Sequence, residues 1–479
     1  MLALLIGLLV ALGPLLRGCW DLWTQSLLFI LVAAGFSAWL ILRIIVGYVP
    51  MPSNRVLAWS AGLAVLSGVA AYMSPVSSYS IPAWRAMLLG LWIFPALDVV
   101  SKDERAVIDQ AIRASAWVLV LLAFYQKFHD HTPRPPSTFL NQNIFAGTIL
   151  MLLPLAVQKE DWPLSAGLLC GLWWSKSVGA WLGLGGALLL ARGRAGTPAA
   201  RLGAGIGLVC LIMIYSKLQG PEVLHRWQWW TAAWRLALRH PLLGWGPGSF
   251  AYAATVAQRP GSDLSSIYAH QYFLETAAEC GLPYLLLWAA GMAHLLHKGG
   301  EHKRFGVVAI LIQSCFDYAL SIPAAFWIFC YFVASSGSQT ARGVNVPRGR
   351  KIPYCLLILA SSLWVCSWSY RRWESDRLKS AAVESFRAGE GASATLPKLE
   401  RAAALADDPE AERDIAELKL AGGDLTEAAA RFERSAHLDP FRASTWLALE
   451  RLDLQLGRAD AARAAREAGA VYCPALRRP

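Results

Sequence analysis

Along the first 370 residues, apolar runs of roughly membrane-spanning length follow one another, cut by charges, Pro and Gly. Uncharged runs of this length predict transmembrane helices. About thirteen are expected, near residues 1–16, 26–46, 55–73, 83–100, 112–127, 143–158, 162–174, 177–191, 202–216, 267–297, 304–320, 322–337 and 352–370. The first, MLALLIGLLVALGPLL, lacks the basic start of a signal peptide and leads into further apolar runs, so it reads as a span. One interruption is different in kind. Residues 217–266 separate two spans and contain Trp227, Trp229, Trp230, Trp234 and Trp245 among Pro and Gly. The segment is too aromatic for a free linker and too broken for a span, so it is expected to lie on the outer surface, partly in the interface.

After Tyr370 the pattern changes. Residues 1–370 carry 26 Lys+Arg and 14 Asp+Glu, whereas residues 371–479 carry 18 and 19. The first part is therefore sparsely charged and net +12, and the second densely charged and net −1. With 56% apolar and 16% charged residues overall, the chain is neither a single soluble enzyme nor intrinsically disordered. Two domains are expected: 1–370 in the membrane, and 371–479 as a soluble tail. In the tail, Gly423 and Ala428 echo at Gly457 and Ala462, and Gly389 precedes Gly423 by the same 34 residues. That is the tetratricopeptide period, and it predicts a small α-solenoid that binds a partner and has no chemistry of its own. A plain alanine-rich helical bundle is the alternative. The fold class is thus all-α: a polytopic transmembrane bundle followed by TPR-like repeats.

The basic residues set orientation. Arg192, Arg194 and Arg201 share one short loop, Lys298, Lys303 and Arg304 a second, and Arg342, Arg348, Arg350 and Lys351 a third. All three fall on one side by the span count, and Lys/Arg excess makes that side cytoplasmic. The segment around Arg134, the 217–266 segment and the tail then share the opposite face. The nine Cys contain no C-x-x-C pair, so no zinc site or disulfide framework is expected.

Three stretches on that outer face could carry chemistry. The first is Arg134-Pro-Pro-Ser-Thr-Phe-Leu-Asn141-Gln-Asn143, in which Arg can fork onto phosphate. Its Asn residues could hold sugar hydroxyls or simply cap the following helix. The second runs from Arg226 through Arg235 and Arg239 to His240-Pro-Leu-Leu-Gly-Trp-Gly-Pro-Gly-Ser-Phe250. Gly244, Gly246 and Gly248 permit a tight backbone excursion there, while snorkelling to lipid is the plainer reading of Arg235 and Arg239. The third is His270-Gln271-Tyr-Phe-Leu-Glu275-Thr-Ala-Ala-Glu279 at the start of a span, where ionisable groups are functional candidates by default. Five residues separate His270 from Glu275, so the two do not share a helix face, whereas Glu275 and Glu279 do.

In order, R-x-x-S-T-F-x-N-x-N, then R with H-P-L-L-G-x-G-P-G-S-F, then A-H-x-x-x-L-E-x-x-x-E-x-G resembles the O-antigen ligase and O-antigen polymerase superfamily over roughly residues 112–333. Members of this superfamily also occur with tetratricopeptide tails. The resemblance implies a GT-C-like glycosyltransferase of the bacterial inner membrane with a periplasmic tail. It would move a glycan from an undecaprenyl-diphosphate carrier to an acceptor lipid or protein, or extend the glycan as a polymerase, without cofactor, metal, nucleotide sugar or nucleic acid. By motif, Arg226 and His270 match the family's essential Arg and His. Arg134, Asn141, Asn143, Arg235, Arg239, Gln271 and Glu275 make up the expected diphosphate- or glycan-binding set, and Gln271 stands where members commonly have Asn. The chemistry agrees with this assignment: Arg stabilises a departing diphosphate, and imidazole serves an acceptor hydroxyl near neutral pH. A transporter would show paired repeats and midplane charges, and a tethered scaffold would need only one span.

Overall fold

A computed structural model describes residues 1–190, 203–210, 221–257, 266–297, 301–335 and 342–477. Arg192, Arg194, Arg201 and Lys298 of the basic loops lie outside these residues, as does much of the 202–216 span. The described chain is helical apart from one two-stranded ribbon.

The bundle runs α1 (Leu2–Leu15), α2 (Leu22–Val46), α3 (Asn54–Tyr72), α4 (Ser77–Asp98), α5 (Lys102–Phe128), α6 (Gln142–Gln158), α7 (Trp162–Ser175) and α8 (Val178–Leu190). Then come α9 (Pro221–Arg239), α10 (Phe250–Ala257), α11 (Tyr272–His297), α12 (Glu301–Gln313), α13 (Pro323–Ser335) and α14 (Lys351–Arg387). Five described helices (α2, α3, α4, α5 and the one containing α14) are long and apolar enough to cross a membrane, and α1, α6, α8 and α13 are shorter apolar helices. The protein is a multi-pass membrane protein. Its core centres on α13, where Ala324 to Val333 are buried without interruption.

Helix ends follow local chemistry. The fifth span was expected from residue 112 but starts at Lys102, because Ser101 and Glu104 form a capping box that adds a charged turn. The eleventh stops at Gln313 instead of running to 320. The tenth is broken at Gly281 (φ +82°), where a Cβ would lie 2.3 Å from the Leu242 carbonyl oxygen. The ribbon pairs β1 (Tyr48–Met51) antiparallel to β2 (Arg342–Asn345). It joins the loop after the second span to the loop before the last, which the span count puts on the same side.

Spanning 37 residues, α14 is about 55 Å long, well beyond a hydrocarbon core of about 30 Å. The change in composition at 370/371 falls inside this helix, so no linker separates the two parts. Its C-terminal half packs on α15 (Ala392–Leu405), and α16 (Pro409–Ala421), α17 (Leu425–Leu438), α18 (Ala443–Gln455) and α19 (Ala459–Tyr472) follow. The starts of α16 and α18, at 409 and 443, are 34 residues apart, as are those of α17 and α19, at 425 and 459. The tail also reaches back. Phe441 and Tyr472 join a cluster with Trp245, Leu236 and Ala278, and the Phe441 ring lies 5.9 Å from Trp245.

Candidate active site

The turn between α12 and α13, residues 313–322, contains none of the three stretches read from the sequence, yet it ties them together. Gln313 donates its side-chain amide to the Asn143 carbonyl at 2.9 Å. The Tyr272 amide donates to the Ser314 carbonyl at 2.9 Å, and the Arg226 guanidinium donates to the Phe316 carbonyl. Ser321 donates its hydroxyl to Glu275.

Asp317 sits at the middle of this turn and is 2% exposed. One carboxylate oxygen lies 3.9 Å from Arg226 Nη2, and the other lies 3.6 Å from His270 Nδ1. A buried carboxylate therefore faces the two residues singled out as catalytic, neither of which has a visible partner in its own stretch. Sequence reasoning missed it because residue 317 lay inside an expected span. The available signal was the same one applied to His270, an ionisable side chain within an apolar run.

The imidazole is held on several sides. Trp229, one turn after Arg226 on α9, stacks on it at 5.0 Å and 19°, and Tyr318 meets it edge-on at 4.6 Å. The His270 backbone is left-handed (φ +55°), which is uncommon outside Gly and worth functional attention. Two contacts fix that conformation: Trp230 donates its indole N–H to the His270 carbonyl at 3.2 Å, and Glu275 accepts the Ala269 amide at 2.6 Å. Glu275 thus acts on the backbone beside His270, which lies ahead of α11 with a left-handed backbone, so helical spacing does not relate the two. Gln271 caps the start of α11 by accepting the Leu274 amide.

The glycine-rich loop after α9 has left-handed backbone at Gly244, Gly246 and Gly248. A Cβ at Gly246 would come within 2.5 Å of Ser74 and Ser80. The loop is fastened to α11: Trp245 N–H donates to the Ala278 carbonyl at 2.9 Å, and Glu279 accepts the Phe250 amide at 3.0 Å. Glu275 and Glu279, stacked at i, i+4, therefore hold the histidine turn and the glycine loop respectively.

The other candidates are spread more widely. Asn141 caps α6 by accepting the Asn143 amide at 2.7 Å. Arg134 is exposed on its loop, which Thr138 ties to the Pro14 carbonyl at 2.6 Å. Arg235 and Arg239 donate to the Ala257 and Val256 carbonyls, both at 3.1 Å, at the end of α10. The structure brings Arg226 and His270 together at Asp317. It places Arg235 and Arg239 on carbonyls at a helix C-terminus, where cations are favourable.

This arrangement of a glycine loop, an arginine helix and a histidine turn lies largely within one recognisable segment. Residues 163–289 match the family model for O-antigen ligase. The O-antigen ligase match contains Arg226 and His270, and it excludes Arg134 on one side and Asp317 on the other. It points to glycan transfer of the ligase or polymerase type in a membrane setting. No curated protein matches the chain.

Proposed function

We propose that the protein transfers a glycan from an undecaprenyl-diphosphate carrier to an acceptor hydroxyl at the periplasmic face of the inner membrane, without a metal. The observation that carries this reading is Asp317 set between Arg226 and His270. A carboxylate facing Nδ1 favours the ring proton there and leaves Nε2 free to accept a proton. The 3.6 Å gap exceeds a hydrogen bond, and such contacts commonly tighten when substrate binds.

In the transfer, the acceptor oxygen bonds to the anomeric carbon as the glycosidic bond to the diphosphate breaks. The hydroxyl proton passes to His270, and the bonding pair leaves with the lipid diphosphate. Arg226 would meet that charge, and exposed Arg134 on the same side of the bundle would meet a further part of it. Ligase and polymerase differ here only in the acceptor, which is a lipid or protein hydroxyl in one and another carrier-bound glycan in the other. The tail, read as tetratricopeptide-like repeats, serves acceptor or partner recognition.

Asp317→Asn tests the arrangement. An amide can present its N–H to Nδ1, which favours the wrong tautomer, so transfer should fall by about a hundredfold or more while lipid-linked donor still binds. Wild-type transfer by this variant would remove Asp317 from the mechanism.

A further inference from the structure

Two aromatic rings away from His270, a cavity of about 390 Å³ opens beneath the tail. Tyr268 lines the cavity and stacks at 4.4 Å on Tyr318, which in turn packs against His270. We propose that this cavity, whose outer wall is built by the tail, binds the sugar of the acceptor; the inference rests on the glycan-transfer reading above.

Three features favour a neutral, hydroxyl-rich occupant. Aromatic faces line the cavity at Trp20, Tyr79, Tyr252 and Tyr268, with Tyr79 and Tyr252 stacked at 4.2 Å as a double platform. Rings of this kind pack against the C–H faces of sugars. Among them stand the carboxylates of Glu275, Glu279 and Asp376, which retain acceptor capacity for hydroxyl groups. Ser78 also lines the cavity, is 8% exposed, and its hydroxyl has no partner among the described residues. A buried polar group of this sort calls for a ligand or water.

Charge argues against the diphosphate. The cations at the cavity, Arg372 and Lys379, are held by the tail: Lys379 Nζ lies 3.0 Å from Asp408 and 2.9 Å from Glu410, and Arg372 donates to the Asp407 carbonyl at 2.6 Å, leaving its Nε without a partner among the described residues. Arg226 and Arg134, the cations read as meeting the diphosphate, lie outside this lining. The volume is of pocket size, on the scale of a small-molecule site.

The tail's part follows from helix geometry. Arg372, Asp376 and Lys379 are spaced i, i+4, i+7 on α14 and present one face to the cavity. The same helix is the first of the tail, so acceptor choice and tail identity are built into one wall.

Ala83→Phe, which adds bulk to the lining, and Tyr252→Ala, which removes half of the platform, test this in full-length protein in native membranes supplied with extracted lipid-linked glycan. Glycan joined to endogenous acceptor and donor retained on the protein are measured separately. Both variants should lose at least tenfold in transferred glycan while retaining donor within twofold of wild type. Donor retention falling in step with transfer would assign the cavity to the donor, and unchanged transfer in both variants would leave it without a substrate; either result overturns the inference. Wild-type protein that neither retains nor consumes the donor would instead defeat the underlying glycan-transfer reading.

Discussion

Phe441→Ala should loosen the glycine loop as well as the tail. Phe441 is 7% exposed, with its ring 5.9 Å from Trp245 and 5.4 Å from Tyr472. It lies between α17 and α18, and its amide donates to Asp439 at 3.3 Å, so the side chain is presented to the bundle by a fixed turn. Truncating a buried Phe to Ala costs about 3–5 kcal/mol, and a site at the edge of a cluster belongs at the lower end, about 3 kcal/mol. At about 1.4 kcal/mol per tenfold, that is roughly a hundredfold in the opening equilibrium of whatever the contact holds closed. Trp245 is the loop residue beneath it, and its amide bond to Ala278 lies within the same cluster. Hydrogen exchange on the full-length protein in a lipid disc should show faster exchange by about that factor in residues 241–250 as well as around 441. Faster exchange confined to the tail, with 241–250 unchanged, would refute the idea that the tail braces the loop. The same contact bears on truncation: removing everything after Arg372 strips this support and most of the tail's wall of the cavity.

Gly246→Ala should disrupt the loop, because the residue has φ +104° and a Cβ would press within 2.5 Å of Ser74 and Ser80; a thermal shift below wild type by several degrees together with lost transfer checks it, and an unshifted melt would contradict it. Burial pushes the Asp439 carboxyl up from 3.8 to about 6, so the folded tail favours the protonated form, and its contribution is present at acid pH and lost as pH rises through about 6. Asp439→Asn should therefore protect the amides around 441 more than wild type does at pH 7, by about 2–3 kcal/mol, and flatten the difference between pH 5 and pH 7; an unchanged pH dependence would exclude Asp439 as its source.

The helices were legible because each span is a contiguous apolar run, and that signal survives without knowledge of what packs where. Their ends were less so. Gly281 breaks α11 because the Leu242 carbonyl, 39 residues earlier, approaches the backbone too closely for a Cβ, and a contact of that range leaves no local mark. For the site, His270 and Arg226 stood out through their neighbours in sequence, whereas Asp317 stood alone between Phe316 and Tyr318. Its meaning comes only from α9 and the histidine turn converging on it. Glu275 shows a related limit: helical spacing does not relate it to His270, whose left-handed backbone precedes α11, and nothing local showed that it would hold the Ala269 amide. The tail's composition marked it as a different medium, while the insertion of Phe441 beside Trp245 joins residues 196 positions apart and could be seen only in three dimensions.

The central claim is that Arg226 and His270 divide the work of one transfer, the first meeting the diphosphate and the second the acceptor proton. Purified full-length protein, treated with EDTA and given an undecaprenyl-diphosphate-linked glycan and acceptor-containing membranes, tests this by measuring donor binding and glycan transfer in parallel. Wild type should transfer, His270→Ala should bind donor and not transfer, and Arg226→Ala and Arg226→Lys should both lose transfer, since an ammonium cannot fork across two phosphate oxygens. Transfer by His270→Ala at the wild-type rate, or wild-type activity that EDTA abolishes and magnesium restores, would contradict the account.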